Sequence, residues 1–96
     1  MAVEFAGLRL NNPIIAASGT FGYGLEFAPL LDLERLGGLV VKGLSRLPMA
    51  GNPPPRLIET PAGLLNSIGL QNIGVEAFAQ KKLPQLAQVR TAVIAN

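Results

Sequence analysis

Neither cysteine nor histidine occurs among the 96 residues. The first absence excludes disulfides and iron–sulfur ligation by this segment. The two together exclude Cys/His zinc sites and any Ser–His or Cys–His nucleophile. An excess of charge is also lacking: eight Lys/Arg against six Asp/Glu leave a net +2. The basic residues Arg9, Arg35, Lys42, Arg46, Arg56, Lys81, Lys82 and Arg90 are scattered, adjacent only at Lys81-Lys82. A nucleic-acid footprint needs a basic stripe or patch, so no nucleic-acid partner is expected. No apolar run approaches the roughly 18 residues of a membrane span. Residues 1–10 alternate and lack the basic start of a signal peptide. A soluble, cytoplasmic protein without a membrane partner is the expectation.

What is present is apolar enough to demand burial: 49% of the residues are hydrophobic, which argues against disorder and for one small domain. Val3, Phe5, Leu8 and Leu10 alternate about Gly7, the pattern of a short hairpin with one buried face. Asn11-Asn12-Pro13 is turn chemistry. The run 13–17 (PIIAA) is bounded by turn signals and suits a strand buried on both faces. A Gly-rich loop, 18–24 (SGTFGYG), follows. Leucine spacing through Leu30, Leu33 and Leu36 predicts a helix over 25–36, disturbed near Pro29 and ended by Gly37-Gly38.

Residues 39–43 (LVVKG) read as a second buried strand with a lysine at its carboxyl end. Residues 44–63 carry Pro48, Pro53, Pro54, Pro55 and Pro61 and read as one long loop, a length that is usually functional. Mixed apolar and amide residues occupy 64–72. A helix is predicted over 75–82, with Asn72 as a candidate cap, and Pro84 disturbs its end. A third apolar strand lies at 91–96. Strands alternating with helices predict an α/β fold with a parallel sheet and right-handed crossovers.

Candidate chemistry lies at the strand ends. In α/β folds the carboxyl ends of the strands carry the ligand site. Lys42 there could stabilise an anion on a cofactor or substrate. The alternative is a lysine that snorkels from the sheet edge, and position alone does not separate the two. The loop 19–24 has the pattern G-x-x-G-x-G, the reverse of the dinucleotide fingerprint. Lys42 also stands where an acidic residue would be required, so that fingerprint fails. Asn66, Gln71 and Asn72 cluster around Gly69. Their amides suit a planar heterocycle with imide edges, or else they cap and satisfy loop backbone. Asn96 ends the third strand as Lys42 ends the second. Arg56 and Glu59 read most simply as an exposed ion pair.

Taken in order, these segments resemble one family. Residues 12–19 (NPIIAASG) resemble the first barrel strand and flavin loop of dihydroorotate dehydrogenases, and 41–45 (VKGLS) resemble their lysine-bearing second strand. Residues 51–56 (GNPPPR) with Glu59-Thr60 look like the bacterial NAD-linked class, class 1B, and 65–72 (LNSIGLQN) resemble the substrate loop. Departures occur at Ser45-Arg46-Leu47, Leu64-Leu65, Ser67 and Ile73-Gly74, beside the matched polar groups, and bear on loop packing.

The resemblance implies that 1–96 is the N-terminal part of a (β/α)8 TIM barrel with a leading β-hairpin, one incomplete FMN-binding domain. It implies oxidation of dihydroorotate to orotate in pyrimidine synthesis, a base taking a C5 proton while hydride passes from C6 to the flavin. Carried over by position, Ser18, Gly19, Lys42, Gly43 and Asn96 contact FMN. Gly43 lets backbone pass close to it, and the charge of Lys42 favours the reduced, anionic flavin. Lys42, Asn66, Ser67, Ile68, Gly69 and Leu70 face the substrate, residues 67–70 through backbone donors. No metal site is implied.

The base, a cysteine in this class, is expected beyond Asn96, since such a barrel needs about 250 residues. The segment alone is therefore expected neither to turn over substrate nor to hold FMN tightly, and its unpaired strand edges invite aggregation. The class further implies a homodimer working with a separate electron-transfer subunit that carries FAD and a 2Fe-2S cluster. Alternatives are another FMN barrel, similar to pyrimidine-reducing dehydrogenases or transfer-RNA dihydrouridine synthases, and a non-catalytic remnant or structural module.

Overall fold

The structure, a computed structural model, describes residues 1–96. It begins with the hairpin β1 (Val3–Phe5) and β2 (Leu8–Leu10), paired Val3 to Leu10 and Phe5 to Leu8. Its turn residues Ala6 and Gly7 both have positive φ, 48° and 80°, the requirement of the tight turn that matches strand twist. The apolar face is covered only at one end: Leu10 is buried, whereas Phe5 and Leu8 stay exposed.

Three short parallel strands form the centre, in the order β3 (Ile15–Ala16), β4 (Gly38–Val40), β7 (Ala92–Ile94). This is the parallel α/β sheet expected from the alternation, with each strand shorter than its apolar run. Successive side chains on a strand point to opposite faces. Leu39 and Val41 therefore share one face, where both are fully buried with Tyr23, Phe78 and Leu86. Lys42 falls on the other face with Val40. No helix is long and apolar enough to cross a membrane.

The crossover from β3 to β4 departs from expectation. Instead of a helix over 25–36 there are two 3-10 turns, Leu25–Phe27 and Leu33–Arg35. Pro29 supplies no backbone N–H and blocks the preceding turn. Asp32 then starts the second turn afresh, its carboxylate accepting from the Glu34 N–H at 3.0 Å. The leucine spacing survives as packing, since Leu33 is buried, but it does not produce an α-helix.

The span 44–63 is not all loop. Strand β5 (Leu57–Thr60) pairs antiparallel with β6 (Gly63–Asn66) across a turn at Pro61-Ala62. Every residue of both strands is exposed. After Asn66 the chain returns to α1 (Val75–Lys81) and α2 (Leu83–Leu86), with Pro84 in the first turn of α2, where a missing N–H costs nothing. Phe78 and Leu86 from these helices cover β4. Asn72 does not cap α1; Gly74 precedes it without a side-chain cap.

Candidate functional site

Three polar residues stand at one rim because the sheet is parallel and in register. Ser18, Lys42 and Asn96 each lie two residues beyond the end of their strand. The pairing of Val40 with Ile94, continued by two residues, sets Lys42 opposite Asn96. The backbone holds this extension: Val41 N–H donates to the Ile94 carbonyl (2.9 Å), Lys42 N–H to Gly22 (2.8 Å) and Leu44 N–H to Asn96 (2.7 Å).

At that rim opens a cleft of about 500 Å³ lined by Ser18, Gly19, Thr20, Lys42, Leu57, Asn66, Ile68, Gly69 and Leu70. This is the size of a small-molecule site. Lys42 is its one charged lining residue, so the cleft presents an uncompensated positive charge. Gly19 has φ 79° and nothing within 4 Å of where a side chain would begin, leaving its backbone open to a flat ligand. The residues therefore fit part of an FMN site: an open glycine turn, a hydroxyl at Ser18 and a cation at Lys42.

The cleft unites Ser18, Gly19 and Lys42 with Asn66, Ile68, Gly69 and Leu70, from segments far apart in sequence. Other candidates stand just outside it. Asn96 lies beside Gly43, its Oδ1 3.9 Å from a Cβ built there, and Leu70 Cδ1 would be only 3.0 Å away. A side chain at Gly43 would thus press on Leu70 of the cleft wall.

Ser67 does not face the cleft as a donor. Its N–H donates to the Arg56 carbonyl at 2.9 Å, while its own Oγ and carbonyl accept from Asn52 Nδ2, each at 2.9 Å. The N–H groups of Ile68, Gly69 and Leu70, by contrast, enter no backbone hydrogen bond of the fold.

The amide cluster also divides. Gln71 accepts from Arg56 Nη2 at 2.7 Å, so Arg56 pairs with an amide and the expected ion pair with Glu59 does not form. Asn72 is buried and ties two loops. Its Oδ1 accepts from the N–H groups of Gly74 (2.8 Å) and Ser45 (3.2 Å), and its Nδ2 donates to Ser45 Oγ (2.9 Å) and Leu70 O (2.8 Å). Only Asn66 is left with its amide free of internal partners while lining the cleft.

Two structural residues escaped the sequence reading. Tyr23, from the Gly-rich loop, is buried against Phe78 with ring centroids 5.8 Å apart, and its hydroxyl accepts from the Ile73 N–H at 3.1 Å. Asn52 grips the 67–69 loop. The sole tyrosine of the chain, set in a glycine loop, was a signal for the first; the second had none beyond its Gly-Asn-Pro turn. The ion pair present lies elsewhere, Arg90 with Glu34 at 3.1 Å. Hydrogen bonds from Arg90 hold the Glu34 carboxyl below its usual range.

An α/β protein with a cationic ligand cleft at the carboxyl ends of a parallel sheet is the class these features define. The family described as dihydroorotate dehydrogenase matches residues 1–96, and the chain belongs to that family. It is 60% identical to the dihydroorotate dehydrogenase B (NAD(+)) catalytic subunit of Geotalea uraniireducens and 59% to that of Trichlorobacter lovleyi. It is 62% identical to a Solibacter usitatus protein provisionally named dihydroorotate dehydrogenase A (fumarate). In each case the whole chain is covered, and it spans 32% of the relative's length. These names accord with the dihydroorotate reading rather than with pyrimidine-reducing or dihydrouridine-forming enzymes.

Proposed function

We propose that this chain forms one wall of the FMN and orotate site of a dihydroorotate dehydrogenase, within a (β/α)8 barrel completed by further strands. The observation that carries the reading is the single cleft in which Lys42 and the Ser18-Gly19 turn meet the Asn66 loop. FMN, when bound, supplies the hydride acceptor. Ser18 and Gly19 hold it by hydroxyl and open backbone, with Gly43 and Asn96 supporting the rim beside it. Lys42 places positive charge where negative charge builds up during oxidation. It also attracts the substrate carboxylate.

The Asn66 amide and the free N–H groups of Ile68, Gly69 and Leu70 orient dihydroorotate by its carboxylate and ring amides. Ser67 serves through its loop and not as a donor. No residue of 1–96 has the chemistry of the expected cysteine base, and that role is assigned outside these residues.

In the NAD-linked version of this reading the protein is a cytoplasmic homodimer. It passes electrons to NAD through a separate subunit with FAD and a 2Fe-2S cluster; the names of the Geotalea and Trichlorobacter relatives support NAD as acceptor and a catalytic subunit working with another. The Solibacter relative favours a second version, in which fumarate is the acceptor. The test uses a chain of the relatives' length that carries these residues, loaded with FMN. Orotate formation from dihydroorotate, followed by absorbance, is expected, and its absence refutes the proposal. NAD reduction only with an electron-transfer subunit selects the first version; fumarate reduction by the protein alone selects the second.

A further inference from the structure

The loop 67–70, which follows β6, reaches the cleft by a strained path. Gly69 and Leu70 both have positive φ, 77° and 50°. For Leu70 this conformation costs about 1–3 kcal/mol and persists only where surroundings enforce it. The strands give no such enforcement, because the loop lies beyond the end of β6.

The enforcement comes from Asn72, whose Nδ2 donates to the Leu70 carbonyl at 2.8 Å, and from 51–56, which hold residues 67–69. Asn52 Nδ2 donates to both Ser67 O and Ser67 Oγ, and Asn52 N–H donates to Ile68 O at 2.9 Å. Arg56 O accepts the Ser67 N–H, and Arg56 reaches on to Gln71 and back to Asn52 O. Contact is close on both sides: a Cβ at Gly69 would lie 2.8 Å from Asn52 N, and one at Gly51 would strike Ile68 O. Asn52 thus occupies Ser67 O, Ser67 Oγ and Ile68 O, and Arg56 O occupies the Ser67 N–H. The N–H groups of 68–70 are left without a partner at the cleft's edge.

Resting on the reading of the site above, we propose that Asn52 is a positioning residue for the substrate. It touches no ligand, and it holds the 68–70 amides at the spacing an anionic, imide-edged ring requires. Its effect therefore falls on substrate affinity more than on turnover.

The experiment compares Asn52→Ala, the isosteric Asn52→Asp and wild type in an FMN-loaded chain of the relatives' length. Both variants are expected to raise the dihydroorotate KM and the orotate Kd about tenfold, the loss of one to two hydrogen bonds. FMN content and kcat are expected to stay within about twofold. An unchanged KM, or a parallel fall in kcat and FMN content, overturns the proposal. Asn52→Asp gives the answer should Asn52→Ala not fold. A wild type that neither binds orotate nor oxidises dihydroorotate refutes the substrate assignment separately. Hydrogen exchange at the Ser67 amide then still decides the brace: Asn52→Ala should accelerate it at least tenfold over wild type, and an equal rate overturns it.

Discussion

The parallel sheet and the β5–β6 arm are held together by different means. Around β4 the side chains do the work: Leu39, Val41 and Leu86 are wholly excluded from water, and Tyr23 and Phe78 close the layer. In β5 and β6 no residue is buried. Their own ladder pairs them, and hydrogen bonds from Asn52 and Arg56 with the glycines 51 and 69 set the course of the loop that follows. The contrast separates stability from ligand placement. Packing fixes where the strand ends point, and a lightly packed polar brace fixes the loop proposed to meet the ligand over them.

This contrast can be broken in order of expected effect, in a chain of the relatives' length. Leu39→Ala deletes a fully buried side chain and is expected to cost about 2–5 kcal/mol in denaturant unfolding. Substrate affinity per folded molecule should hardly change. Asn72→Ala removes the buried amide joining the Ser45 and Leu70 loops, for about 1–3 kcal/mol, and should impair both stability and affinity because it serves both regions. Gly69→Ala combines a left-handed φ with the close approach of Asn52. About 1–2 kcal/mol is expected, with a larger loss of orotate affinity than Leu39→Ala produces.

The smallest effect is at the Glu34–Arg90 pair on the far side. Glu34 is held below its ordinary 4.5 chiefly by the hydrogen bond from Arg90. A depressed carboxylate contributes stability above that value and loses it as pH falls through the folded value. Unfolding midpoints of wild type and Glu34→Gln should differ slightly at pH about 6 and converge on acidification, as the folded-state carboxylate takes up its proton. A difference that grows on acidification would contradict the assignment.

Much of the sheet was legible because apolar runs between turn signals are a local signal: 13–17 and 91–96 each contain a strand, and 39–43 overlaps one that starts at Gly38. The polar residues closing those runs, Ser18, Lys42 and Asn96, came out at one rim because a parallel register aligns strand ends. Local pattern failed where local chemistry overrode it. Leucine spacing in 25–36 predicted a helix that Pro29 and Asp32 break into two 3-10 turns. Four prolines near 48–55 hid the strand at 57–60, whose exposed apolar residues lack the alternation of a half-buried strand. The partners of Arg56, Ser67 and Asn72 are residues 2 to 27 positions away, and nothing in composition or spacing ranks an amide above a carboxylate as the mate of an arginine. Family resemblance pointed to 65–72 as the substrate loop proposed above, while its geometry distinguished the free amides of 68–70 from the occupied amide of Ser67.

The central claim is that the Asn66 loop and the Lys42 rim enclose one ligand. Orotate titrated into the FMN-loaded protein, followed through the flavin absorbance, tests it most directly when wild type is compared with Asn66→Ala. A saturable spectral change in wild type, weakened at least about a hundredfold by loss of the amide's paired hydrogen bonds, is the expected result. Equal affinity in the two proteins would contradict it, placing orotate somewhere other than this cleft.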